Sequence, residues 1–250
     1  MRDDIVIIGG GLAGSEAAWQ AANRGAKVTL YEMRPKEMTQ AHKTGGLAEL
    51  VCSNSLGSAD LLNAPGILKE EMRRLNSLII RVADEVRVPA GSALAVDREQ
   101  FSLKITQALE GHPNIRILHE EITEIPTDCL CILATGPLTS DKLSQAIAQL
   151  THTKHLYFYD AISPIVDADS INMDVVFLAS RYDKGGDDYL NCPMDEPAYN
   201  AFYDALLAAE KVQPKEFEKT VLLRRLYPHR GDGRTGPPDH AVRSVEAGGP

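Results

Sequence analysis

The chain has 250 residues, 44% of them hydrophobic, and a formal net charge of -9 at pH 7. That is enough apolar material for one large core or two smaller ones. The acidic balance argues against a general nucleic-acid coat protein, while leaving room for a local basic groove. Four cysteines (Cys52, Cys129, Cys131, Cys192) without regular spacing exclude a disulfide framework and point to a reducing, cytoplasmic setting, and the aliphatic run Ile5–Ile8 is too short for a signal peptide or a membrane span.

"DIVIIGGGLAGSEAAWQAANRGAKVTLYEM" reads as strand, glycine turn, helix, strand. Ile5–Ile8 has the continuous apolar character of a central parallel strand buried on both faces. Ala17, Ala18, Ala21 and Ala22 give the helix a small-residue face for close packing on a sheet, Gly25 ends it, and Lys27–Tyr31 forms the next strand. Residues 39–65, rich in Gly, Ser, Thr and Asn, are expected to be a long functional loop. Pro65 then opens a helical run through "GILKEEMRRLNSLIIRVADEV". The next stretch supplies short strands, a helix capped by Asp97 and a strand at Ile115–Leu118. Two more strands are expected in "EEITEIPTDCLCILATGP", the second from Cys129 to Leu133. From about Lys154 the pattern turns to aromatic-rich strands, followed by a helix over Glu196–Lys211. The expected fold class is α/β: a Rossmann-like dinucleotide-binding domain over residues 1–150, then a second, smaller α+β domain beginning at 151.

Gly9-x-Gly11-x-x-Gly14 follows a predicted strand, opens a helix and precedes an acidic residue, Glu32, at the end of the second strand. Gly9 permits the tight turn, Gly11 lets backbone approach a pyrophosphate, and Gly14 allows close helix packing. The helix N-terminus, with Gly10, Leu12 and Ala13, faces the phosphates, and Glu32 accepts from ribose hydroxyls. A second strand ending in Ala134-Thr135-Gly136 is the tripeptide that returns to the FAD site in flavoproteins with two dinucleotide-binding domains, which favours FAD as the first cofactor. Cys129 and Cys131 share one face of that strand and read as core thiols. His152 and His155 read as surface residues, so no metal site is expected. Cys192 is equally compatible with a core position or a pocket lining.

Cys52 lies in "AELVCSNSLGS", where an apolar step gives way to small polar residues. Two readings stand at this point: a buried structural thiol, or a loop thiol activated by backbone N–H groups or a cation.

Taken together, "GGGLAGSEAAWQAANRGAKVTLYEMRP", "HKTGGLAELVCSNSLGS", "VDREQFS", "ATGPLTSD", "YFYDAISPIV" and "YLNCPM" resemble the folate- and flavin-dependent tRNA (uracil-5-)-methyltransferase family, TrmFO, continuously from about residue 4 to Val221. The resemblance implies a glutathione-reductase-type FAD domain. It further implies methylation of carbon 5 of the T-loop uridine of tRNA, with methylenetetrahydrofolate as one-carbon donor and NAD(P)H as reductant. An enzyme thiolate would add to carbon 6 of uracil, and Cys52, a catalytic residue by the resemblance, matches one of the two cysteines that serve the family. A generic FAD oxidoreductase, or a non-catalytic nucleotide-binding fragment, are the alternative readings.

The second family cysteine, in Phe-Phe-Glu-Gly-Cys, has no counterpart: the chain reads "LLRRL" there, with Leu226 in its place. Leu-Leu-Arg-Arg-Leu-Tyr is encodable as CTT CTT CGA AGG CTG TAT, which read one base later gives Phe-Phe-Glu-Gly-Cys. Residues 223–250 are therefore expected to be an out-of-frame, disordered tail that truncates the domain begun at 151, and the chain as written is expected to transfer no methyl group.

Overall fold

The computed structural model describes residues 4–152, 167–180 and 186–210. The chain divides into two compact units at residues 165 and 166.

The first unit is built on a parallel sheet of order β6-β2-β1-β7, formed by β1 (Asp4–Ile8), β2 (Lys27–Glu32), β6 (Ile115–His119) and β7 (Leu130–Leu133). Ile5 pairs with Val28 on one side and Leu130 on the other, which makes β1 central, as its apolar run predicts. The crossover from β1 to β2 is α1 (Leu12–Asn23). Its Gly14, Ser15, Ala18 and Ala22 are buried, and Gly25 follows the last turn at φ +92°.

The polar stretch 39–65 is not loop throughout. Ser55–Ser58 is a strand, β3, in a small antiparallel sheet with β5 (Ala93–Val96), which also pairs with β4 (Arg87–Val88). "SLGS" has little strand propensity of its own, and the partner strand imposes the conformation. The expected single helical run is broken into α2 (Ala64–Arg74) and α3 (Leu78–Glu85). Asn76 turns left-handed at φ 57°, and Ser77 caps α3 by accepting from the Ile80 N–H at 3.2 Å. Glu16 of α1 fastens the break, its Oε2 accepting from Ser77 Oγ at 2.8 Å and the Ile79 N–H at 3.0 Å.

The helix predicted from Asp97 is α4 (Arg98–Glu110), with Asp97 Oδ1 accepting from the Gln100 N–H at 3.0 Å. Its Phe101, Ile105 and Leu109 join Ile7, Leu30, Leu47, Leu78, Leu94 and Val96 in one fully buried core. Only one of the two strands expected between residues 119 and 134 forms. Glu120–Cys129 carries no strand, so Cys129 precedes β7 rather than sharing a strand face with Cys131. A helix, α5 (Asp141–Thr151), runs through position 150, where the sequence places a domain boundary.

In the second unit β8 (Phe177–Leu178) pairs antiparallel with β9 (Leu190–Asn191), and α6 (Glu196–Ala208) starts at its Asp195 cap and stops short of the predicted Lys211. The predicted strand in "HLYFYDAISPIV" and the tail from 223 lie outside the described residues, as does His155.

Candidate functional site

The glycine turn at the end of β1 is braced on three sides. The Gly9 N–H donates to the Tyr31 carbonyl at 2.8 Å, and the turn is at φ +104°. A Cβ on Gly9 would lie 2.6 Å from the Ala134 oxygen, and one on Gly14 would lie 1.8 Å from the Gly9 oxygen. The turn thus packs directly on the Ala134-Thr135-Gly136 end of β7 and on the first turn of α1. Gly11 is different: nothing lies within 4 Å of the Cβ it lacks, so its open face is available to a ligand.

These pieces border a cavity of 370 Å³ at the carboxyl ends of β1, β2 and β7. Gly9, Gly11, Leu12, Ala13, Glu32, Ala134, Thr135 and Gly136 all line it. Gly10 and Gly14 stand behind the wall. The Gly10 N–H donates to Glu32 Oε2 at 2.8 Å, and Gly14 permits the helix contact. Cys52 is half-buried and does not line the cavity, but its neighbour Val51 does.

Glu32 is buried and already engaged. Its Oε1 accepts from the Arg34 N–H at 3.0 Å and Arg34 Nε at 2.8 Å, while Oε2 accepts from Gly10. An ionised carboxylate offers about four acceptor sites, so about one, on Oε2, remains for a hydroxyl. Burial acts to raise this carboxyl's pKa. The Arg34 hydrogen bond and charge, with the N–H groups of Arg34 and Gly10, outweigh burial and hold it below its ordinary value.

Sequence reasoning gave no role to Arg34, although it stands in the quoted "YEMRP". Its Nη1 donates to Glu49 Oε2 at 3.0 Å and to the Thr44 carbonyl at 3.2 Å, and its carbonyl is hydrogen-bonded to His119 Nδ1. Glu49 in turn accepts from the Lys43 and Thr44 N–H groups and the Thr44 hydroxyl. Burial acts to raise the Glu49 carboxyl, but these donors and Arg34 hold it low. Beyond Glu49 the loop is pinned to the β5–α4 junction. Asn54 Nδ2 donates to the Val96 carbonyl at 3.1 Å, the Val96 N–H returns to the Asn54 carbonyl at 2.9 Å, and Arg98 Nη2 reaches the Cys52 carbonyl at 3.3 Å. The quoted "VDREQFS" therefore seats the Cys52 loop.

Cys131 is half-buried, its thiol pKa raised by burial and by Cys129 beside it, and Cys192 is exposed. Among the described residues no His, Cys, Asp and Glu cluster has the makings of a metal site, and no helix is long and apolar enough to cross a membrane.

A family model described as glucose inhibited division protein A matches residues 4–228. The chain belongs to this family. Among curated members, it is similar to three proteins named methylenetetrahydrofolate--tRNA-(uracil-5-)-methyltransferase TrmFO. The one from Aquifex aeolicus is 58% identical over 221 residues, covering 88% of this chain and 50% of the relative. That from Halalkalibacterium halodurans is 59% identical over 224 residues, covering 90% and 51%. That from Geobacter sulfurreducens is 53% identical over 268 aligned positions, covering 99% and 62%. The chain spans about half the length of the first two. The parallel sheet with its glycine turn is the Rossmann-like architecture expected of the first domain.

Proposed function

We propose that this chain carries the FAD-nucleotide half of a folate-dependent tRNA (uracil-5-)-methyltransferase that acts on the T-loop uridine. The observation that carries the reading is the convergence of the glycine turn, Glu32 and Ala134–Gly136 on one cavity, with the Cys52 loop at its rim. The lining of the cavity suits the pyrophosphate and one ribose of a dinucleotide. Gly11, Leu12 and Ala13 would take the pyrophosphate at the start of α1, and the open Oε2 of Glu32 would accept a ribose hydroxyl.

Bound FAD would supply the redox chemistry that carries reducing equivalents from NAD(P)H to the one-carbon unit of methylenetetrahydrofolate. The chain's own chemical contribution is the Cys52 thiolate. Its sulfur forms a bond to carbon 6 of uracil, the ring electrons move to the carbon 4 oxygen as an enolate, and carbon 5 becomes nucleophilic. After carbon–carbon bond formation, loss of the carbon 5 proton expels the thiolate and restores the double bond. The target base must leave its stack to reach Cys52. This chemistry belongs in the cytoplasm, where thiols stay reduced and tRNA is present.

We also infer that residues 223–250 are read out of frame, supported by "LLRRL" standing where the family resemblance places Phe-Phe-Glu-Gly-Cys. Resequencing codons 215–230 tests this directly.

Flavin fluorescence titration of the chain tests the cofactor. Saturable FAD binding is expected, weakened about tenfold or more by Glu32→Ala, which removes an ionised hydrogen-bond acceptor. A folded chain that takes up no FAD overturns the reading. With the frame restored by deleting one base near codon 221, methylation of a tRNA transcript is expected and Cys52→Ala abolishes it. Full activity in that variant removes the thiol from the mechanism.

A further inference from the structure

We propose that Arg34 is a positioning residue that fastens the cofactor-facing carboxylate of Glu32 to the loop carrying Cys52, so that the two are placed as one unit. The inference rests on the proposed reading of the cavity and adds to it a coupling between its two halves.

Arg34 is 1% exposed and lies between two carboxylates, Glu32 and Glu49, that both line the cavity. Its guanidinium spends separate donors on separate partners. Nε is committed to Glu32 at 2.8 Å, and Nη1 to Glu49 at 3.0 Å and the Thr44 carbonyl at 3.2 Å. Glu32 holds the glycine turn through the Gly10 N–H, whereas Glu49 organises residues 43–44 through three further hydrogen bonds. One planar group therefore joins the turn at residue 10 to a loop that reaches Cys52 three residues after Glu49. The far side of Cys52 is fixed at Asn54 by Val96, and its own carbonyl by Arg98. The thiol sits on a short span between two anchors.

Stability alone does not account for this arrangement. Buried ion pairs are often no better than well-packed apolar replacements of equal volume, and their best-attested use is to fix register. Arginine suits that use because its donors diverge in a rigid fork, where lysine offers a point charge.

The test uses the full 250-residue chain and two readouts. The first, without cofactor, is the alkylation rate of Cys52 by iodoacetamide relative to exposed Cys192, read by peptide mass spectrometry. Arg34→Lys is expected to raise the Cys52 to Cys192 ratio by about tenfold, because releasing the loop removes a charge-assisted anchor. The second is FAD affinity, expected to weaken by about tenfold in the same variant. Thr44→Val carries the discriminating result. Thr44 does not line the cavity, and loss of its hydroxyl, which donates to Glu49 and accepts from the Gly46 N–H, is expected to weaken FAD binding by about threefold through the Glu49–Arg34 pair. An unchanged Cys52 to Cys192 ratio in Arg34→Lys overturns the proposal. So does a uniform rise at all four cysteines, which marks general unfolding. If Arg34→Lys does not fold, unchanged FAD affinity in Thr44→Val overturns it equally. A wild-type chain that binds no FAD sinks the cofactor reading, while the alkylation ratio still decides the role of Arg34.

Discussion

Gly14→Ala probes how the cavity is built. The added Cβ would stand 1.8 Å from the Gly9 oxygen, and side-chain carbons essentially never approach closer than 3.0 Å, so α1 must withdraw by at least 1.2 Å (3.0 less 1.8). The obstacle is backbone in the tight turn, with Ala134 Cβ 3.4 Å away on the next side, and neither is the free end of a flexible side chain. Withdrawal loosens the buried contacts of Ala18 and Ala22 with the sheet. Overpacking of this kind costs about 2 kcal/mol. For a unit of this size that lowers the melting temperature by roughly 4–8 °C. The larger effect is on binding, because the N–H groups of the first turn move away from the position the pyrophosphate would take. FAD affinity is expected to fall by about tenfold or more. Thermal denaturation by circular dichroism and flavin titration read the two effects separately. Gly25→Ala is the comparison: its Cβ meets nothing within 4 Å, but φ +92° is unfavourable for alanine. It should cost about 1 kcal/mol of stability and leave FAD affinity alone. Wild-type FAD affinity in Gly14→Ala would refute the placement of the pyrophosphate.

The carboxyls of Glu32 and Glu49 are both held below their ordinary value of 4.5, so the stability they contribute is present above that pH and is lost as the pH falls through their lower folded values. Urea midpoints between about pH 6 and pH 3 should therefore decline, and the decline should be shallower in Glu32→Gln. Asp97→Ala removes the cap of α4 beside the seat of the Cys52 loop and should destabilise by about 1 kcal/mol in urea denaturation. Leu130 on β7 is 64% exposed, and β7 is one of the two edges of the parallel sheet among the described residues, so Leu130→Lys should slow aggregation measured by light scattering at equal fold content.

The βαβ unit was legible in the sequence because each of its signals is local. An aliphatic run, three glycines at fixed spacing and a small-residue helix face need no distant partner to be recognised. The same holds for the Asp97 cap. The features that were missed depend on contacts formed only after folding. β3 exists because β5 lies beside it, not because Ser55–Ser58 favours a strand. The break between α2 and α3 is fastened by Glu16, about sixty residues earlier. Arg34 drew no reading from the sequence, because nothing in its neighbourhood announces that Glu49, fifteen positions on, turns back to meet it. Glu32 was read correctly as an acid at the end of the second strand. How many of its acceptor sites the protein itself consumes could be counted only from the geometry.

The register of the central sheet also sets an order of assembly. Ile5 meets Val28 after a short excursion but meets Leu130 only after the chain has wandered for more than a hundred residues. Closing the longer excursion costs roughly 1.5 kcal/mol more in chain entropy than closing the shorter one. On this chain-entropy argument the β1–α1–β2 crossover closes first, and the wall contributed by Ala134–Gly136 closes after it. On a ribosome, the glycine turn emerges and waits without its third wall until β7 has been made. A nascent chain shorter than about that length holds the fingerprint of a nucleotide site but no pocket, and cofactor capture marks the completion of the sheet rather than its beginning.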